Sequence, residues 1–286
     1  VNAVLEALVK EVESRLLQAA VPSALVQARW LVAQVCEVDP YKYVLYPQTV
    51  VSFEKVLEVE KATAQLIQGM PLEYIVGKTV FDGLELELTP HVLIPRPETE
   101  ELVALMSQFW GKELKAGSRF LDLGTGSGCL AIAMAARFSK SDFFASDVSS
   151  QAIEIAKKNA QKIGARLEFR SGDWVQPWLM DDNKYFDFVV SNPPYIGDHE
   201  RDQVSLSTLH YEPNLALFAQ ESGLAIYRKL SKDLLKITRP GSRVAFEMGY
   251  CQGPALLEIF KVSGWKEGTV LKDLSGHERF FFIERE

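Results

Sequence analysis

The chain has 286 residues, 47% of them hydrophobic, enough to bury a sizeable core and to build two modest domains. Its 31 basic and 38 acidic residues leave a formal charge of -7 and a pI near 5.3, which argues against a protein whose affinity comes from neutralising phosphates. No apolar run approaches the roughly 18 to 20 residues of a membrane span, and the three cysteines, Cys36, Cys129 and Cys251, are too scattered for a disulfide framework or a zinc knuckle. Buried reduced thiols in a soluble cytoplasmic protein are expected. The chain begins at Val1 rather than at a methionine, which leaves the native N-terminus open.

In chain order, residues 1–72 are predicted to form a small helical bundle. Val4, Leu5, Leu8, Val12 and Leu16 make one apolar stripe that Pro22 ends, and charges at Glu6, Lys10, Glu11, Glu13 and Arg15 exclude a signal or transit peptide. A second helix covers Ser23 to Cys36. Asp39-Pro40 reads as a cap followed by a first-turn proline, and Ser52 opens a helix that stops at Gly69. Trp30, Tyr41, Tyr43 and Tyr46 are expected in the core, the commoner place for aromatics so spaced, with a recognition surface as the alternative. Residues 73–98 are expected to link this bundle to the rest: the Asp82-Gly83 turn between Val80-Phe81 and Leu84 to Leu88 predicts a hairpin with one dry face. The stiff segment Ile94 to Glu100 then places Glu98 or Thr99 to start a helix through Phe109.

Over 99–286 strands and helices alternate: Arg119 to Leu123, a helix to Phe138, Asp142 to Ser146, a helix to Ile163, Arg166 to Arg170, and a strand that empties into Asn192. This pattern predicts an α/β domain with a parallel sheet and ligands at the carboxyl ends of its strands. A helix from Ser222 to Ile237, a strand from Arg243 to Met248 and an antiparallel pair around the Gly276 turn complete it.

Where the first of these strands meets its helix, Gly124, Thr125, Gly126, Ser127 and Gly128 offer backbone N-H groups to a ligand, a tight structural turn being the alternative. Asp147 follows the second strand, 19 residues after Gly128, where a carboxylate can accept from both ribose hydroxyls unless it merely caps the next helix. Asp173 and Trp174 at the third strand end suit an exocyclic amine and an adenine ring. Carboxylates at 122, 147 and 173 repel phosphates and tolerate a sulfonium, so S-adenosylmethionine fits better than a dinucleotide. No metal-spaced group and no Ser-His-Asp set competes, and the histidines at 91, 199, 210 and 277 default to solvent or core.

The run Phe186 to Tyr195 ends in Asn192-Pro193-Pro194-Tyr195. Pro193 and Pro194 lack an N-H, so this loop offers carbonyls and the Asn192 amide, acceptors matched to a planar NH2, with the Tyr195 ring able to stack on it. An Asn-Pro turn is the plainer alternative.

These motifs together, with Gly69-Met70-Pro71-Leu72-Glu73-Tyr74-Ile75, Phe81 to Leu84, Ile94 to Glu100 and Tyr211-Glu212-Pro213, resemble the HemK/PrmC family, which methylates the side-chain amide of the Gly-Gly-Gln glutamine in class I release factors. The resemblance runs from about Gly69 to the C-terminus. It implies a class I S-adenosylmethionine-dependent methyltransferase domain: Rossmann-like, with a mostly parallel seven-stranded sheet closed by an antiparallel hairpin, behind a substrate-recognising helical bundle. It implies that Gly124 to Gly128 cradle the methionine and ribose, that Asp147 holds the ribose, and that Trp174 neighbours the adenine. Asn192 would serve donor and substrate, and residues 192 to 195 would hold the glutamine and carry the transfer. S-adenosylhomocysteine would leave, and the partner would be a class I peptide chain release factor, met by a monomer with no metal, membrane or direct nucleic-acid contact. An N6-adenine DNA or RNA methyltransferase is the rival enzyme, disfavoured by acidity and by the Pro95-Arg96-Pro97-Glu98 segment, and a non-catalytic adenosine-ligand sensor is the rival of another class.

Overall fold

The computed structural model describes residues 2–39, 45–183 and 185–286. Pro40, Tyr41 and Tyr43 lie outside them. Contacts between residues divide the chain into one unit running to Lys78 with Leu206–Tyr211, and a second comprising Thr79–Ser205 and Glu212–Glu286.

In the first unit, β1 (Ala3–Val4) pairs antiparallel with β2 (Val50–Val51), and the helices are α1 (Leu5–Gln18), α2 (Ala24–Val35), α3 (Phe53–Ile67), α4 (Leu72–Val76) and α8 (Leu206–Tyr211). Leu5, Leu8, Val12 and Leu16 recur every three to four residues, so α1 buries one stripe against Leu31, Val59 and Leu66. The Ser52 side chain caps α3 by accepting from the Lys55 N-H at 3.4 Å. Trp30 and Tyr46, expected in the core, are instead 45% and 61% exposed. Small Ala28 and branched Leu31 and Val32 supply the inward face of α2, which leaves Trp30 on the outer one.

The hairpin β3 (Lys78–Phe81) and β4 (Leu84–Glu87) comes next, in the second unit from Thr79 onward. Asp82 and Gly83 both have positive φ (51° and 76°), the geometry of a two-residue turn whose twist matches its strands. This segment is expected to be a linker, yet Phe81 and Leu86 are buried in the core of the second unit, which is why its contacts fall there.

Five parallel strands follow, β5 (Arg119–Leu123), β6 (Asp142–Asp147), β7 (Leu167–Ser171), β8 (Phe188–Ser191) and β9 (Arg243–Glu247), with β10 (Thr269–Lys272) and β11 (Glu278–Glu284) antiparallel at one side. The sheet order is β10-β11-β9-β8-β5-β6-β7. Strand residues alternate between two cores: Phe120, Phe188, Phe280 and Phe282 enter one, and Leu121, Val189, Phe281 and Ile283 enter the other. The covering helices are α5 (Pro97–Trp110), α6 (Cys129–Arg137), α7 (Ser150–Ile163), α9 (Ala225–Asp233) and α10 (Gly253–Val262). Helix α5 starts earlier than expected, with Arg96 as its cap residue and Pro97 at its first position. Neither Glu98 nor Thr99 is the cap, and Thr99 points its hydroxyl elsewhere. No helix among the described residues is long and apolar enough to cross a membrane.

Candidate active site

Chain order reverses beside β5, whose neighbours are β6 and β8, so the loops after these strands open a crevice at their carboxyl ends. A cavity of about 360 Å³ lies there, entirely within the second unit. Its size is that of a small-ligand site.

The floor is the glycine loop after β5. Gly124 and Thr125 donate their N-H groups to the Ser146 carbonyl at 2.8 and 3.0 Å, and Gly126 donates to Asp147 Oδ2 at 2.9 Å. The loop is thus tied to the end of the neighbouring strand. All three glycines have positive φ, but for different reasons. A Cβ on Gly126 would meet nothing within 4 Å, so that space stands open above the backbone, whereas a Cβ on Gly128 would lie 2.7 Å from Ile132 Cδ1 and 3.1 Å from Ala156 Cβ. Gly128 therefore allows close packing of α6 on α7 and does not line the cavity, while Gly124, Thr125, Gly126 and Ser127 do.

Asp147 accepts one backbone amide on each oxygen, Gly126 on Oδ2 and Ser149 on Oδ1, both at 2.9 Å. Ser149, whose side chain accepts from Ala152 at 3.2 Å, provides the cap of α7, so Asp147 is not needed for it. Burial pushes the Asp147 carboxyl up, and the Ser149, Gly126 and Val148 amides pull it down. Trp174 presses its ring to within 3.5 Å of a Cβ built on Gly124 and lines the cavity. Asp173 also lines it, but Lys229 Nζ takes its Oδ2 at 2.6 Å. Asp122 lies beneath, 1% exposed and off the cavity wall. It accepts from the Thr125 hydroxyl at 2.7 Å, and desolvation raises its pKa to about 7.

On the opposite side, Asn192 and Pro194 line the cavity, but Pro193 is buried and Tyr195 is not on the wall. The Tyr195 hydroxyl donates to Glu247 Oε1 at 3.1 Å and its ring packs against the second core, which holds it away from the stacking place expected for it. Asn192 Nδ2 donates to Thr99 Oγ1 at 3.2 Å, and Thr99 Oγ1 donates to Glu247 Oε2 at 2.7 Å. Neither Glu247 nor this role of Thr99 is among the expectations drawn from the sequence. A carboxylate as the last residue of a buried strand is the signal that points to Glu247.

The segment before α5 also reaches the cavity, with His91, Pro95, Arg96 and Thr99 on its wall. Arg96 pairs with Glu212 at 2.6 Å, and the other Glu212 oxygen accepts the Ile94 N-H at 3.2 Å. Two distant motifs, Ile94 to Glu100 and Tyr211 to Pro213, are thereby joined through one buried carboxylate. Among the thiols, Cys129 lines the cavity and burial pushes it up to about 12. Cys251, expected buried, is exposed. Among the described residues, no cluster of ligands for a metal ion occurs.

A glycine loop, a carboxylate at the next strand end and an Asn-Pro-Pro loop line one crevice, and residues 103–212 match the family described as "Methyltransferase small domain", which makes the chain a methyltransferase. Residues 7–77 match the "PrmC N-terminal domain". The chain is 36% identical over 238 residues to the release factor glutamine methyltransferase of Streptococcus pneumoniae, covering 83% of each chain. It is 33% identical to that of Staphylococcus aureus, over 88% of this chain and 90% of the relative. The chain belongs to the release factor glutamine methyltransferase family. In fold it is similar to the hMettl16 catalytic domain solved with an RNA hairpin (TM-score 0.59, 15% identity, 86% of this chain and 90% of that one).

Proposed function

We propose that the protein transfers a methyl group to the side-chain amide nitrogen of the glutamine in the Gly-Gly-Gln motif of class I release factors, as a single chain in the cytoplasm where those factors act. The observation that carries this reading is that Asn192 and Pro194 share one cavity with Gly124 to Ser127, Asp147 and Trp174. The shared cavity supports a reading in which one loop accepts the amide beside the cradle for the donor.

Bound S-adenosylmethionine supplies an electrophilic methyl on a cationic sulfur and departs as S-adenosylhomocysteine. The residues fit it: open space above Gly126 accommodates its backbone-hugging part, Trp174 offers a ring to adenine, and each Asp147 oxygen keeps lone-pair capacity for a ribose hydroxyl after accepting one amide. With Asp122 beneath the wall and Asp173 paired to Lys229, it is Asp147 that suits a cation better than a phosphate.

For the acceptor, the Asn192 side-chain oxygen takes one hydrogen of the glutamine NH2 and a backbone carbonyl of the Pro193-Pro194 segment takes the other. An amide nitrogen is a weak nucleophile because its lone pair is shared with the carbonyl. Acceptors on both hydrogens raise its electron density and hold it in line, so positioning and electrostatics supply most of the rate. The surplus proton turns acidic once nitrogen carries the methyl and leaves to an acceptor or water. Tyr195 supports the loop through Glu247.

The test is mass spectrometry of a release factor and of bulk nucleic acid after incubation with labelled donor. A 14-dalton gain on the Gly-Gly-Gln glutamine, lost in Asn192→Ala, is expected. Label in nucleic acid alone would sink the proposal.

A further inference from the structure

The side-chain amide of Asn192 has two ends of nearly equal shape and opposite hydrogen-bonding sense. Only its oxygen can accept a substrate N-H, so something must decide which end faces the cavity. The structure holds a device for this. Parallel pairing sets Ser191 of β8 beside Phe246 of β9, so the residues one step on, Asn192 and Glu247, are neighbours at the carboxyl end of the sheet. Thr99, in the first turn of α5, lies between their side chains. Thr99 and Glu247 are 2% and 1% exposed, so water does not compete for their bonds.

The direction of the chain follows from counting protons. A carboxylate only accepts, and both Glu247 oxygens are met by hydroxyls, Thr99 at 2.7 Å and Tyr195 at 3.1 Å. Burial, helped by the Glu98 charge, pushes the Glu247 carboxyl up, and the Thr99 and Tyr195 hydroxyls and the Arg279 charge pull against that rise. Thr99 has one proton and spends it on Glu247. Its oxygen then has only lone pairs to offer, so the Asn192 atom 3.2 Å away must be the donor Nδ2. The reverse rotamer would set Asn192 Oδ1 against Thr99 Oγ1, two acceptors with no proton between them.

We propose that Thr99 and Glu247 are positioning residues that fix the Asn192 amide with its nitrogen toward the protein and its oxygen toward the methyl acceptor. The proposal rests on Asn192 being the acceptor of the substrate N-H. It gives the buried end of β9 and the first turn of α5 a role in transfer that runs through Asn192.

Two measurements test it. In Thr99→Val the shape is kept and the relay lost, and kcat for release factor methylation falls by about tenfold or more. The donor KM and the calorimetric affinity for S-adenosylhomocysteine stay within about twofold, and Thr99→Ser recovers most of the rate. A Thr99→Val kcat within about twofold of wild type overturns the proposal. Independently of any variant, a neutron crystal structure of the deuterated wild-type protein reads the protons. Deuterium on Asn192 Nδ2 toward Thr99, and on Thr99 toward Glu247, is expected. Asn192 Oδ1 toward Thr99, or a deuteron on Glu247 directed at Thr99, overturns it. If wild type transfers no methyl to a release factor, the function proposed above falls, and the nuclear density still decides the orientation.

Discussion

Gly126 and Gly128 stand two residues apart with φ of 55° and 85°, yet they answer to different demands. Gly128→Ala adds a contact of 2.7 Å to Ile132 on top of left-handed strain, and a loss of about 2–3 kcal/mol in denaturant unfolding is expected. Gly126→Ala meets nothing, so about 1 kcal/mol of strain is expected; its methyl, however, occupies the open cradle, and calorimetry should show weaker S-adenosylhomocysteine binding. Asp122 provides a pH signature. Its carboxyl is raised from 3.8 to about 7 by burial, so the folded state holds the proton more tightly than the unfolded chain does. The stability this contributes is complete below about pH 4 and is lost as pH rises towards 7. Thermal unfolding followed from pH 4 to 8 should therefore show a steeper fall in Tm for wild type than for Asp122→Asn. An equal slope in the two would locate the dependence elsewhere.

At the scale of elements, β11 carries more of the second unit than its terminal position suggests. It lies between β9 and β10 and sends Phe280 and Phe282 to one core and Phe281 and Ile283 to the other. Phe281 is fully buried, and Phe281→Ala should cost about 3–5 kcal/mol in denaturant unfolding. The strand was legible as a short apolar run, Phe280 to Ile283, after the Gly276 turn, while the alternation was not, because a strand dry on both faces loses its period of two. The Asp82-Gly83 turn was legible too, since its residue types tolerate positive φ. Helix α10 was not legible: Gly253-Pro254 reads as a turn, and Ala255-Leu256-Leu257 is too uniformly apolar to show a helical face. The start of α5 was misread because Thr99 has the chemistry of a cap, and only the fold reveals the stronger claim of Glu247 on its hydroxyl. Of the cavity wall, Gly124 to Ser127 and Asp147 were legible, since a glycine loop and an acid at successive strand ends are local patterns. The Thr99 to Glu247 contact joins residues 148 positions apart and leaves no local trace.

At the scale of the whole molecule, the helical unit is not a contiguous piece of chain. Helix α8 belongs to it although its sequence lies within the second unit, and its Ser207 and Tyr211 hydroxyls donate to the Gly69 and Gln68 carbonyls at 2.6 and 3.2 Å. The Gln68 carbonyl is one that the end of α3 leaves open, and the Gly69 carbonyl follows it. A chain beginning at Thr79 should consequently expose 206–211, and chymotrypsin should cut there about tenfold faster than in the full chain. Equal rates would show that α8 is held without its partners. The charge of -7 acts at this scale as well, by opposing association with any polyanion not matched by a local basic patch.

The donor-poor loop at Asn192-Pro193-Pro194 has a consequence for turnover. A pocket that presents two acceptors is satisfied by a primary amide and only half satisfied by its methylated product, which has a single N-H left to give. One acceptor then faces a methyl group, at a cost of about 1–3 kcal/mol. On the function proposed here, the pocket expels what it makes. The same mismatch leaves the product unable to align for a second transfer, so the reaction stops at one methyl.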